Sequence, residues 1–487
     1  MLTTATLACL LLAPNVSPLF GEKGEFFDPA SSLPDWSHAG YRGGEALPSV
    51  RMLTTVQEYG ATPDDDTDDT EAFRKAIADN AGKSLRIPAG RYVLSDRLTI
   101  EASGTKLLGD GRDRVTLYFT TSLEEIDPTA SMTGHGTRTT AWSWGGGFIQ
   151  IGPTGAPRAG EAVAVVEAAA RGTSELSLKN NRFSAGNRVI LHGRNGDGNA
   201  LAAALYEVPI EAKYDDLDNV RADFIATVER VDGDRITLDR PLPFDVPANA
   251  MAVQDFRPGA TDIAFGGVTI EFPSVPYRGH FNEDGYNAIA VRNVADCWLD
   301  NLAIVNADGG VFVAGHNVTI QGVAFRADRE TDDRGNTGHH GMYVHGSENL
   351  VTDFDVGTRF VHDITVGSGS VLNAFTNGRG VDLAMDHHRW APYATLWSNI
   401  DVGAATRPFA SGGTQTRGLH SAAGVTFWNI RGDRPIAMPG AEFAPPRSLF
   451  IGVQGLDPKG ETFGRHVESF DGEVTPPDLH AAQRERR

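Results

Sequence analysis

Trp298-Leu299-Asp300-Asn301-Leu302-Ala303-Ile304 is echoed one short step later by Val318-Thr319-Ile320-Gln321-Gly322-Val323-Ala324-Phe325. Each copy is a pair of short alternating apolar segments around a polar or glycine corner. The pattern returns at Leu350 (LVTDFDV), Val371 (VLNAF), Leu396 (LWSNIDV), Val425 (VTFWNIRG) and Leu449 (LFIGVQG), and an earlier copy lies at Val268 (VTIEF). A second series interleaves with it: AIAV from Ala288, GVFV from Gly310, GMYV from Gly341, HDITV from His362 and VDLAM from Val381. Copies mostly follow one another at 20 to 30 residues. Short β segments at this period, with no long helical pattern between them, predict an all-β parallel solenoid. One coil cannot bury its own apolar edge, so coils stack about 4.8 Å apart around a continuous core. A sandwich of hairpins would show turn signals about every 8–12 residues, and the sequence does not.

Nearer the start, Val56-Gln57-Glu58-Tyr59-Gly60-Ala61-Thr62-Pro63 runs through the acidic stretch Asp64–Asp69 into a helix-period segment from Glu71 to Ala78. Ile87-Pro88-Ala89-Gly90-Arg91-Tyr92 and Leu107-Leu108-Gly109-Asp110-Gly111 follow. This opening resembles that of the pectate-lyase-like right-handed parallel β-helix superfamily, in which an acidic turn and a short helix cap the first coil. The resemblance implies that fold and a carbohydrate-directed role. It does not choose a chemistry, because the superfamily holds lyases, hydrolases, epimerases and phage tailspikes. The acidic run lacks the mid-loop Gly and terminal Glu of an EF-hand, and Thr67 or Asp68 as helix N-cap explains it more simply.

The chain divides into a capping region with the first coils (48–120), an inserted antiparallel β module (160–256), β-helix coils that carry the chemistry (257–475) and a polar tail expected to fray (476–487). The Asp232-Gly233-Asp234 turn marks a hairpin inside the insertion, whose role is a cleft wall or a spacer. Ala5–Ala13 (ATLACLLLA) is too short to span a bilayer and reads as the core of an export signal over residues 1–18, so a secreted or periplasmic protein is expected. A formal charge of −20 argues against a nucleic-acid partner. Of two cysteines, Cys9 lies in the leader and Cys297 reads as a buried strand residue, which excludes a disulfide framework and a thiolate metal site. Oligomeric state is not encoded in any pattern.

Seven of the 14 histidines fall between Asn336 and Arg434, among several arginines and aspartates. Such a concentration on an acidic chain marks a candidate site. If the strand around Val381 persists, Asp382, Asp386 and His388 face a groove, with His362, Asp363, His339 and His340 on the preceding coils and Arg407, Arg417 and His420 in loops beyond. This set suits β-elimination on a uronic acid, which needs a base and a partner for the carboxylate. Lysine is absent from Tyr214 through Pro458, which leaves His, Arg or Tyr as the base, with His340 and His388 the first choices. Arg389 and Arg407 are the expected carboxylate binders, and Asp382 or Asp386 would orient a histidine. His339, His362, Asp363, His387, Arg407, Arg417 and His420 complete the expected substrate-binding set.

The alternative is a glycoside hydrolase using Asp363, Asp382 and Asp386, where Asp382 and Asp386 on one strand would stand roughly 13 Å apart and Asp363 would have to partner Asp382. A third reading is a non-catalytic, tailspike-like binding solenoid. A metal site on His339, His340, His387 or His388 is not expected, because neighbouring histidines on a strand point apart and no HExxH spacing occurs. No cofactor is assigned, and calcium stays open. The charged loop Ala327–Arg334 reads either as a lid or as a solvated excursion.

Overall fold

Backbone pairing between successive coils builds two parallel sheets in the computed structural model, which describes residues 14–134, 136–155 and 160–487. Sheet A has 15 strands and runs from Thr54–Thr55 to His466–Glu468 through Trp298–Val305, Thr319–Arg326, Ala374–Gly380, Leu396–Asp401, Thr426–Arg431 and Leu449–Val453. Sheet B has eight, among them Asn287–Ala295, Gly309–His316, Gly338–His345, Phe360–Val366 and Met385–His387. The chain is a right-handed parallel β-helix.

Register explains the repeats. Leu299, Ile320, Val351, Phe375, Trp397, Phe427 and Phe450 are successive partners down sheet A, and all are buried. Each coil therefore adds one apolar side chain to the same inward column. Phe375 lies over Trp397 with ring centroids 4.3 Å apart. The corner residue inside each copy takes a left-handed backbone: Asn301, Asn377, Asn399 and Asn429 have φ of 53°, 54°, 55° and 55°. Asparagine tolerates this region better than most residues, which is why the repeats carry it.

Where the chain passes from sheet B to sheet A, buried asparagines link coils. Asn349 Oδ1 accepts from Val318 N at 3.0 Å, its Nδ2 donates to Gly315 O at 3.1 Å, and its own amide donates to Asn373 Oδ1 at 2.8 Å.

At the N-terminal end the helix Thr70–Asp79 buries Phe73, Ala76 and Ile77. Asp68 accepts from Thr70 N and Asp65 from Thr67 N, so the acidic run is consumed in turn bonds. Cys297 is buried, and burial pushes its thiol up to about 12. Residues 163–255 include six antiparallel strands, with Arg188–Arg194 paired to both Arg221–Asp232 and Met251–Asp255. The ion pairs Arg188–Asp296 and Arg240–Glu348 fasten these strands to the solenoid.

Two expectations about the ends need correction. The tail is not frayed: Leu479–Arg486 is a helix whose Leu479, His480 and Gln483 are buried. Gln483 accepts from Trp36 N at 2.8 Å and donates to Pro34 O at 2.9 Å. The docking surface comes from the far end of the sequence, so the tail's own polarity could not show it. The expected leader lies outside the described residues up to position 13, but Asn15–Val16 pair with Val474–Thr475 and Ser17 is buried, so residues 15–17 belong to the fold. Among the described residues, no helix is long and apolar enough to cross a membrane.

Asn349→Ala removes an acceptor and a donor at a buried corner. It should cost roughly 2–3 kcal/mol, read as a lower urea midpoint with an unchanged slope. An unchanged midpoint would show that the corner bonds contribute nothing net.

Candidate active site

Sheet B and its margin bring His339, His340, His362 and His388 together. His340 and His362 are register partners, and Thr365 pairs with Asp386 on the next coil. His362 Nδ1 and His388 Nδ1 lie 2.9 and 3.0 Å from the same oxygen, Asp386 Oδ2. Asp386 is fully buried and also accepts from Gly412 N at 2.8 Å and Thr365 Oγ1 at 3.1 Å. Burial opposes its charge, but His388 and His362 hold the carboxyl well below the usual range. An anionic Asp386 fixes Nδ1 as the protonated nitrogen on both rings and leaves each Nε2 as the basic one. Gly412 presses on this pair so closely that a Cβ there would stand 2.3 Å from His388 Cε1.

His339 and His340 do not point apart. Their rings stack at 4.1 Å, because both amides turn toward one carbonyl, Asp308 O, at 2.7 and 3.3 Å, and the strand alternation breaks. Asp308 is itself fixed by a buried ion pair with Arg329 at 2.8 Å. Arg329 also donates to Thr337 O and Ala307 O, so one buried side chain anchors the loop Ala327–Arg334, while Asp328, Glu330, Thr331, Asp333 and Arg334 are exposed, in keeping with the solvated-loop reading. His280, which the sequence reading missed, packs 4.4 Å from His339. Its only sequence signal is its place in an irregular, aromatic-rich loop before a coil. Tyr343 was also missed, hidden in the GMYV strand copy; its ring lies 5.3 Å from His340 and 6.1 Å from His388. Burial raises its phenol above the ordinary value.

Several expected site residues do other work. His387 points inward: it is fully buried, and its Nε2 accepts from Trp397 Nε1 at 3.0 Å, because it alternates with Asp386. Asp363 is buried and accepts from Phe360 N, Ala384 N and Arg407, each at 2.8 Å. Arg407 also donates to Val361 O at 3.2 Å, while its buried Nε has no hydrogen-bond partner. Asp382 accepts from both the amide and the hydroxyl of Thr406. Arg389 spends its guanidinium on Gly413 O, Gly418 O and His420 Nε2, and His420 Nδ1 in turn meets His387 O at 3.1 Å. Arg389 and Arg407 are thus loop ties, and neither offers a free fork to a carboxylate. Arg417 is different. It stacks on Trp390 at 3.9 Å, pairs with Asp216 of the inserted region at 3.0 Å, and stays partly exposed.

The inserted region touches the coils beside the cluster, where Asn219 O accepts from Ser368 Oγ and Arg221 packs on Gly369. Trp144, exposed, stands on the other side 6.3 Å from His339. Calcium, which takes about six to eight oxygen ligands, does not fit: the cluster is built of imidazoles, and Asp386 is already fully engaged.

A family model described as rhamnogalacturonase A/epimerase, pectate lyase-like, matches residues 53–144. Comparison with curated proteins gives no match. Among solved structures, the chain is similar to the tailspike protein gp49 of Pseudomonas phage LKA1, at 13% identity over 78% of this chain and 64% of that one, with a TM-score of 0.41. It is also similar to PfbA, a surface adhesin of Streptococcus pneumoniae, at 11% identity over 85% of this chain and 76% of that one, with a TM-score of 0.43. An iota-carrageenase from A. fortis gives 10% identity over 73% and 57%, with a TM-score of 0.32. This chain therefore spans less than two thirds of the tailspike and of the carrageenase.

Burial lowers the pKa of His387 to about 3 and of His345 to about 4. Both are neutral in the fold, and an unfolded histidine takes up its proton near 6.5. Between about pH 6.5 and 4 the unfolded chain binds more protons, so stability should fall as pH falls through that window. The thermal midpoint should drop on acidification from pH 7 to 4.5, and His387→Gln should drop less. Equal drops would remove His387 from the account.

Proposed function

We propose that this chain is an exported polysaccharide lyase that cleaves uronate-containing chains by β-elimination. The observation that carries the reading is the sharing of one buried carboxylate, Asp386, by His362 and His388. That arrangement gives His388 a basic Nε2 with no protein partner among the described residues. In the proposed reaction His388 Nε2 takes the proton from C5 of the uronate. The electron pair forms the C4–C5 double bond, the C4–O4 bond breaks, and O4 gains a proton from the Tyr343 phenol. Burial keeps that phenol protonated at neutral pH, which suits it as the acid. Arg417 and Arg221, both near enough to Tyr343 to act on it electrostatically, are the cations available for the substrate carboxylate. They replace Arg389 and Arg407 in that role.

The hydrolase reading is weaker, because Asp363, Asp382 and Asp386 are each tied to amides, hydroxyls, Arg407 or histidines. None of the three stands open as a proton-donating acid beside a partner carboxylate. The match over residues 53–144 is compatible with a carbohydrate-directed enzyme.

The test is a panel of uronate-containing and neutral polysaccharides, followed by ultraviolet absorbance of unsaturated ends and by reducing sugar. Both signals should rise together on a uronate polymer. His388→Ala and Tyr343→Phe should each lower the rate by a factor on the order of 10²–10⁴ while the protein stays folded. Reducing sugar without absorbance would overturn elimination, and binding without turnover would leave only a recognition solenoid.

A further inference from the structure

We infer that His280, His339 and His362 form a binding site for one divalent transition metal ion of the zinc class. One ligand nitrogen from each residue lies within 4.8 Å of the other two. Ring centroids stand 4.4 Å apart for His280 and His339, 5.6 Å for His339 and His362, and 6.0 Å for His280 and His362. No hydrogen bond joins the three among the described residues, so nothing within the protein rewards their closeness. The neighbouring set His362, Asp386 and His388 is different, since its nitrogen–oxygen contacts of 2.9 and 3.0 Å are ordinary hydrogen bonds that need no ion.

A second observation points to a ligand. His339 is about 97% buried, yet its Nδ1 has no hydrogen-bond partner, and neither has the buried Nδ1 of the adjacent His340. Unbonded polar atoms in the interior are costly and uncommon. His339 Nδ1 lies 3.2 Å from Glu283 Oε1 but out of line for a hydrogen bond. Glu283 is held ready by Tyr277 Oη and Phe281 N, both at 3.0 Å. His362 has the same backing from Asp386. Two of the three imidazoles thus carry a carboxylate behind Nδ1, the arrangement that orients histidine ligands on a metal.

Three neutral imidazoles suit zinc, cobalt, nickel or copper and not calcium or magnesium. Zinc–nitrogen bonds of about 2.0–2.1 Å place tetrahedral ligands about 3.3 Å apart, so a modest closure of the present spacing completes the site and leaves a fourth position open. The site does not depend on the elimination chemistry. It runs against the expectation from the sequence that no metal binds, an expectation that rested on strand alternation, which the Asp308 corner breaks.

The experiment uses the full chain, stripped with a chelator and dialysed. Zn²⁺ alone is titrated by calorimetry, bound metal is counted by elemental analysis, and Co²⁺ is added separately to record its visible absorption. One equivalent per chain with a tetrahedral-type Co²⁺ spectrum is expected. His280→Ala and His339→Ala should abolish the spectrum, and Glu283→Gln should weaken Zn²⁺ binding by about 10–100-fold. Circular dichroism and the thermal midpoint of each metal-free variant show whether it folds, and His280→Gln serves as the milder second variant. Absence of stoichiometric metal in the folded wild-type chain overturns the site, as does Zn²⁺ binding that survives His280→Ala unchanged. A chain that gives the Co²⁺ spectrum but releases no unsaturated ends keeps the metal site and loses the lyase.

Discussion

Parallel pairing places each residue of one coil directly over its partner in the next, and this constraint shapes the whole molecule. It lets Leu299, Ile320, Val351, Phe375, Trp397, Phe427 and Phe450 form one inward column. The same rule sets His340 over His362, and Thr365 over Asp386 on the next coil. A sequence with residues 20 to 30 apart thereby builds a site only a few ångströms across. The cost of the rule is that like groups are forced together, and crowded imidazoles gain nothing from one another unless something intervenes.

Buried carboxylates are what intervene. Asp386 takes two imidazoles on one oxygen and is itself held by Gly412 N and Thr365 Oγ1. Glu283 stands behind His339, and Asp308, paired with Arg329, fixes the backbone corner that turns His339 and His340 to the same side. Each carboxylate is satisfied by several donors, the condition under which a buried charge is tolerated. Arg389, Arg407 and Arg329 serve this framework from inside the loops. Their charges are therefore spent before any substrate arrives.

The fold was legible because its signal is repetition: alternating segments with an Asn or Gly corner, spaced evenly, can only stack. The candidate site was legible as a neighbourhood and less so as a set of roles. Asp386 and His388 lie where strand alternation would put them, whereas His387, one residue out of phase, falls into the core against Trp397. Arg389 and Arg407 looked like ligand forks because composition cannot reveal that Gly413, Gly418 and Val361 carbonyls already occupy them. His280 comes from a loop outside the repeat, and no periodicity reaches it. The docked tail was hidden for the same reason, since its partner Trp36 lies at the opposite end of the chain.

Charge sets a further condition on any substrate. A chain of formal charge −20 repels an anionic polymer at long range, so approach depends on cations placed at the cleft itself. With the interior arginines committed to backbone, that task falls to the rim, where Arg417 lies on Trp390 and Arg221 rises from the inserted strands beside Gly369. Both belong to the border between the coils and the insertion, not to the histidine floor. In the proposed reading, Arg221 of the insertion and Arg417 of the coils select charge, and the coils supply the acid and base groups.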